Sequence, residues 1–505
     1  MILIDSRSWI LGGAAACVAV PLVAAALAAW GVSRRRPRFL AVAAAATPLG
    51  ISLVMTAVWH ATDGRPVEAG MTPGGEGLLF IDGLSVVLLP YVAVIALATL
   101  LVNPRRSLEL PVVGRTLLGL AATFAIICTS HPLALVVLWI ATALPTWQST
   151  RSTPGGQPAA RVYTIYMVAA VTCMTVGTLM LVADPPWEQT SGIVGTTGGW
   201  LVTLAVMIRK GIVPFHSWYP ALFAGAPMST ALAATMPQVA SYTAVRLLVG
   251  HADGVTIELE VLAVFALVTA VYGAALAVVQ RDLRGFIGTL AMSQSAIVLA
   301  GLSGRLPMEL NGAFCVWISS GLAITGIGLV TWALESRAGR ISIDTLQGRF
   351  WDAPALAAFF LLFGMACIGL PGTLSFVADD LIVAGSLDDH FSAGLMVIAS
   401  TVLCGIAVMR CWFHVFGGPP VTDSPRHEIL RRERVPLTVL IGLLFFLGFW
   451  PAPLVQALDR AASWILGQPP AASHPAGLPH AADSEGGEGP PPFNLFVSPV
   501  LSPPS

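Results

Sequence analysis

Charge is scarce in this sequence. Only 10% of its 505 residues are Asp, Glu, Lys or Arg, against roughly 25% in an average soluble domain. A soluble fold of this length needs more polar surface than that to cover its core, and here 56% of the residues are hydrophobic. Neither sign is in excess: 26 basic residues face 27 acidic ones, so charge gives no case for nucleic acid as a partner. The seven cysteines include no CxxC pair. That excludes an iron–sulfur ligand run and gives no disulfide framework, so they read as small packing residues. A strand–GxGxxG–helix unit is also missing, which argues against a nucleotide site. Strictly alternating segments of about 10 residues, the mark of a membrane barrel, do not occur. No metal and no cofactor are expected in the chain itself.

What is present is lipid-compatible helix. A membrane helix takes roughly 20 mainly apolar residues, and fourteen such stretches can be read: 9–31, 38–59, 81–102, 112–130, 132–147, 161–183, 199–222, 228–250, 256–280, 283–302, 308–334, 353–386, 391–414 and 435–466. The fold class expected is an all-α polytopic membrane protein. Its organisation reads as three N-terminal helices (1–111), five helices (112–250), five more (256–414), a loop and last helix (415–466), and a Pro/Gly-rich tail (467–505) whose composition predicts disorder. Residues 192–199 are rich in glycine and read as an outward loop.

The arginines test this count. Eighteen fall in loops of one side: 34–36, 38, 105, 106, 115, 151, 161, 281, 284, 337, 340, 349, 426, 431, 432 and 434. The loops of the other side hold only Arg65 and Arg305. Basic loops stay in the cytoplasm, so both termini are predicted to face outward from a cytoplasmic membrane. The first span is longer than a signal-peptide core and is followed by Arg34–Arg36, so it reads as a retained helix.

Ionisable residues inside spans are costly, by about 2.5–3.5 kcal/mol even on the lenient scale, and they mark ion pathways. The only lysine in the chain, Lys210, lies in the seventh span, followed by Pro214 and His216. A desolvated ammonium can release its proton, whereas a guanidinium holds it at any reachable pH. Lys210 is therefore a candidate proton carrier. Its neighbour Arg209 points about 100° away around a helix, as a structural pair or as a fixed charge tuning Lys210. Asp379 and Asp380 in the twelfth span follow Pro371 and Gly372; at most one can face a given channel, and the other can cap a helix restarting after a break. His216 is either a relay member or hydrogen-bonded structure. Paired interruptions at Pro214 and at Pro371–Gly372, in corresponding halves, point to an ion site in an inverted-repeat transporter.

Lys210 with Pro214-Phe215-His216-Ser217-Trp218, Ala226-Pro227-Met228-Ser229, and Gln280-Arg281-Asp282-Leu283-Arg284 resemble the antiporter-like membrane subunits. That family includes the large proton-channel subunits of respiratory complex I, subunits of multisubunit sodium/proton antiporters, and the membrane subunit of a two-component inorganic-carbon transporter. The resemblance covers about residues 80–415. It implies fourteen core helices, with spans 4–8 and 9–13 as inverted five-helix repeats and helices 7 and 12 broken. It also implies a line of titratable residues across the membrane centre, joined by water and driven in step with a partner.

Several family positions differ here. The fifth-span Trp-Glu, whose acid pairs with the seventh-span lysine, reads Trp139-Ile140. Ala233 and Gln238 stand where the eighth span has His or Lys, and Asp379 stands where the twelfth has Lys or Glu. Gln238, Ser293 and Gln294 are candidates to bridge the gaps. The function implied is a proton-translocating subunit of a multisubunit energy-converting complex, with protons (sodium being the alternative ion) and other membrane subunits or a large soluble protein as partners. The competing readings are the proton-flow half of an inorganic-carbon transporter and a proton-silent scaffold.

Overall fold

The computed structural model describes residues 6–31, 37–62, 64–71, 77–103, 109–185, 192–304, 306–389, 391–419 and 429–467. Arg34–Arg36, Arg105, Arg106, Arg305, Arg426 and the tail beyond Gly467 lie outside the described residues. Within them are α1 (Ser6–Ala29), α2 (Pro37–Ala61), the antiparallel hairpin β1 (Val67–Met71) and β2 (Gly77–Ile81), α3 (Gly83–Val102), α4 (Leu110–Ile127), α5 (Pro132–Arg151) and α6 (Gln157–Ala183). Then follow α7 (Ile193–Lys210), α8 (Trp218–Gly225), α9 (Met228–Thr235), α10 (Val239–Leu247), α11 (Thr256–Val279), α12 (Leu283–Gly301) and α13 (Pro307–Ala338). The chain continues through α14 (Pro354–Ala366), α15 (Leu374–Asp389), α16 (Phe391–Phe416), α17 (Arg431–Phe449) and α18 (Ala452–Ile465).

Ten of these helices are long and apolar enough to cross a membrane alone, and α17 and α18 form an apolar pair bent by 77°. The stretches read from sequence as spans seven, eight and twelve are different. Each is two shorter helices separated by a break: α7/α8, α9/α10 and α14/α15. The break in the eighth was not expected. Its sequence signal is Pro237, which has no N–H to give a helix, followed by Gln238 at φ 49° in the left-handed region.

The glycine-rich stretch at 192–199 is a correction to the outward-loop expectation, because Ile193–Gly199 forms the first two turns of α7. The Asp184 carboxylate accepts from the Gly192 and Gly195 amides at 3.0 Å and caps that helix. α7 also packs closely on α6: a Cβ on Gly198 would stand 3.0 Å from the Gly177 carbonyl oxygen. Small residues that let backbones approach are a common basis of helix packing in lipid, and this use outweighs the low helix propensity of glycine. With the helix beginning at Ile193, Lys210 is its last residue, four positions before Pro214.

Burial is uneven. The most apolar stretch of α13 is wholly enclosed by protein, and that of α12 nearly so, while only a third of the corresponding stretch is buried in α1, α2, α6 and α16. α13 touches α3, α9, α12, α14, α15, α17 and α18.

Candidate functional site

α7 ends at Lys210 because Gly211 takes the left-handed conformation, at φ 70°. Opening the helix frees backbone groups that lipid could not satisfy, and the protein satisfies them. Trp218 Nε1 donates to the Ile208 carbonyl at 2.8 Å, and the Val213 amide donates to Thr269 Oγ1 of α11 at 2.9 Å. Lys210 itself is only 3% exposed. Its ammonium donates to Gln238 Oε1 at 2.5 Å, in the eighth-span break, and Ser241 Oγ donates to the same oxygen at 3.3 Å. Among the described residues no carboxylate pairs with Lys210.

Arg209 faces elsewhere. Its guanidinium lies over the Trp139 ring, 4.5 Å from the centroid, and donates to the Trp139 carbonyl at 3.0 Å and to Thr142 Oγ1 at 2.6 Å. The cation of α7 that reaches α5 is thus Arg209, not Lys210. It lies against Trp139, beside the position from which the family's glutamate is missing. Among the described residues, Arg209 makes no direct hydrogen bond to Lys210, and neither cation has an acidic partner.

At the second pair of broken helices, α14 gives way to α15 through Gly369, Pro371 and Gly372. Asp379 is partly buried on α15, whereas Asp380 is exposed, so only the first of the two acids turns into the protein. The Asp379 carboxylate lies close to Gly369, where an added Cβ would meet Oδ2 at 2.7 Å, and within electrostatic reach of Cys367 and Cys404. Asp379 has no hydrogen bond or ion pair among the described residues.

Polar groups stand between the two sites. Gln294 Nε2 donates to Cys404 Sγ at 3.8 Å, while Ser293 Oγ lies 3.2 Å from Ser400 Oγ and 3.6 Å from Cys404 Sγ. The buried Tyr219 hydroxyl lies beside Thr235 and Ser295. His216 is not part of this line. Its Nε2 is 3.3 Å from the hydroxyl of Tyr272, which is itself exposed on α11.

The sequence reading missed a third charged site. Asp82 and Arg246 form a bidentate pair at 2.7 and 2.8 Å, both fully enclosed, and Arg246 Nη2 also donates to the Tyr242 hydroxyl at 2.9 Å. Asp82 additionally caps α3 by accepting from the Ser85 amide. The signal was available: Asp82 is the second residue of the third span and Arg246 falls inside the eighth. The Gln280–Arg284 motif also finds its role, since Arg284 pairs with Glu335 at 2.7 Å and donates to the Ala226 carbonyl at 2.8 Å. One arginine thereby joins two of the sequence motifs.

Charges held at broken helices inside an apolar bundle define a class, the ion-handling membrane subunits with discontinuous spans. Residues 162–406, just under half of the chain, match the family described as NADH:quinone oxidoreductase/Mrp antiporter, TM, so this stretch is antiporter-like in sequence. Among curated relatives, the NADH-quinone oxidoreductase subunit M of Mycobacterium tuberculosis is 26% identical over 298 residues. That alignment takes in 57% of this chain and 54% of the relative, so the chain spans about half the length of the curated relatives it matches. A chain of the Mrp complex from Dietzia sp. DQ12-45-1b shares the fold, with a TM-score of 0.82 at 19% identity over 92% of this chain and 98% of that one. A chain of respiratory complex I from Thermus thermophilus does so as well, with a TM-score of 0.80 at 19% identity over 89% of this chain and 98% of that one.

Proposed function

We propose that this chain is a proton-translocating membrane subunit of a multisubunit energy-converting complex, with Lys210 and Asp379 taking up and releasing the protons. The observation that carries the reading is the setting of Lys210. A single neutral amide accepts its hydrogen bond and no carboxylate faces it. Loss of its proton therefore strands no buried counter-charge, the event that makes breaking an ordinary buried ion pair so costly. Gln238, Thr235, Tyr219, Ser295, Gln294, Ser293 and Cys404 spread amide, hydroxyl and thiol groups toward Asp379, and water among the opened backbones would complete the line.

The same reading takes the three broken pairs and the bent α17/α18 pair as one span each, fourteen in all, with spans 4–8 and 9–13 as inverted repeats. Both termini face outward from the cytoplasmic membrane. Its partners are other membrane subunits. Support comes from the relatives named subunit M of NADH-quinone oxidoreductase and from fold neighbours that belong to Mrp and complex I assemblies.

The test is Lys210→Met in the assembled complex reconstituted into vesicles. Proton uptake should be lost with the subunit composition unchanged. Intact uptake would leave only the scaffold reading. Co-purification of a single large soluble protein, with no redox subunit, would favour the inorganic-carbon setting.

A further inference from the structure

α3, α4, α5, α6, α7, α8, α9 and the start of α10 line a cleft with a cavity of about 80 Å³. Arg115 stands on one side of it, on α4, and Arg209 lines its wall on α7. From Arg115 to Thr123 the cleft follows α4 for about 12 Å at the helical rise. Hydroxyls line it, Thr142, Thr146, Tyr163 and Thr230 among them, yet no Asp or Glu does among the described residues.

That lining has an electrostatic consequence. Arg209 is partly buried and holds its proton throughout. A carbonyl, a hydroxyl and an aromatic face are its contacts, and none of these carries a compensating charge. A guanidinium has five N–H donors, and Arg209 spends two of them on protein. Arg115 likewise donates only to the Pro111 and Gln148 carbonyls and to Ser152 Oγ. The Tyr163 hydroxyl lies close to both Arg209 and the Thr146 hydroxyl, and Thr230 also lines the cleft. Free donors, two fixed cations and no acid make a site for negative charge.

We propose that this cleft binds a small monovalent anion, of halide or nitrate type, against the Arg209 guanidinium, with the Tyr163 and Thr146 hydroxyls beside it. The bound anion supplies the counter-charge that no side chain provides. The inference does not rest on proton transfer at Lys210, and its test involves no transport.

The probe is iodide, which quenches tryptophan on contact, titrated into the purified full-length chain in detergent. Trp139 lies directly under Arg209, and the other tryptophans give a linear collisional background. The expected result is a saturable quenching phase that chloride competes away. Arg209→Gln should abolish that phase. Thr146→Val, which keeps the cation and the fold, should weaken it about threefold, the loss of one hydrogen bond. Linear quenching up to molar iodide overturns the proposal. So does a saturable phase that survives unchanged in both variants, since the anion would then sit elsewhere.

Discussion

Among the described residues, the surroundings of Lys210 hold two cations and no acid, whereas those of Asp379 hold an acid and no cation. Both lie where a span is broken, and both departures from neutrality are left uncompensated by protein. The pair formed by Asp82 and Arg246 shows the alternative, because there each charge is matched by a bidentate partner with a tyrosine hydroxyl closing the cage. A matched pair is held in one ionisation state. An unmatched ammonium or carboxylate next to neutral amides, hydroxyls and thiols is free to change state, and Lys210 and Asp379 both stand at breaks.

The sharpest way to break this contrast is Lys210→Arg. It preserves the charge and removes the ability to lose it, so proton translocation by the assembled complex should fall by about 10²-fold, the usual loss for a missing proton-transfer group. Retained translocation would mean that Lys210 serves as a fixed charge. Asp82→Asn should do the opposite. It strands Arg246 and costs about 3–5 kcal/mol of stability, read as a lowered unfolding midpoint in detergent, while the assembled fraction still translocates.

Gln238→Glu would turn the first site into a matched pair. Coupling of about 1.4 kcal/mol between the new carboxylate and Lys210 slows release of the proton about tenfold, which a translocation assay would detect. An unchanged rate would show that the neutral amide is not what matters. Asp380→Asn is the smallest change. That side chain is exposed, so activity and stability should stay within about twofold and 0.5 kcal/mol, and a loss as large as that of Asp379→Asn would reverse the assignment of the two acids.

The long apolar spans, Lys210 and the interruptions at Pro214 and Pro371 were legible because lipid makes hydropathy and charge informative. The eighth-span break was less so. Pro237 signalled it, but Gln238 is an ordinary residue in a conformation usually left to glycine, and only its hydrogen bond from Lys210 explains why it is there. The division of labour between Arg209 and Lys210 follows from where α7 ends, which Gly211 fixes by taking the left-handed conformation. The start of α7 was misread because glycine between spans signals a loop locally and close helix contact only in three dimensions. Asp82 and Arg246 lie 164 residues apart, so neither predicts the other.

α13 has 32 residues, about 48 Å of helix against a hydrocarbon thickness of about 30 Å, and its apolar stretch meets only protein. It touches α9, which leads into the Gln238 break, and α15, which carries Asp379. A thicker or thinner bilayer tilts the helices that face lipid, but it has no direct hold on this one. The chain therefore carries its own ruler: the spacing of the two charged breaks is set by protein, and it should stay constant when the membrane around it changes.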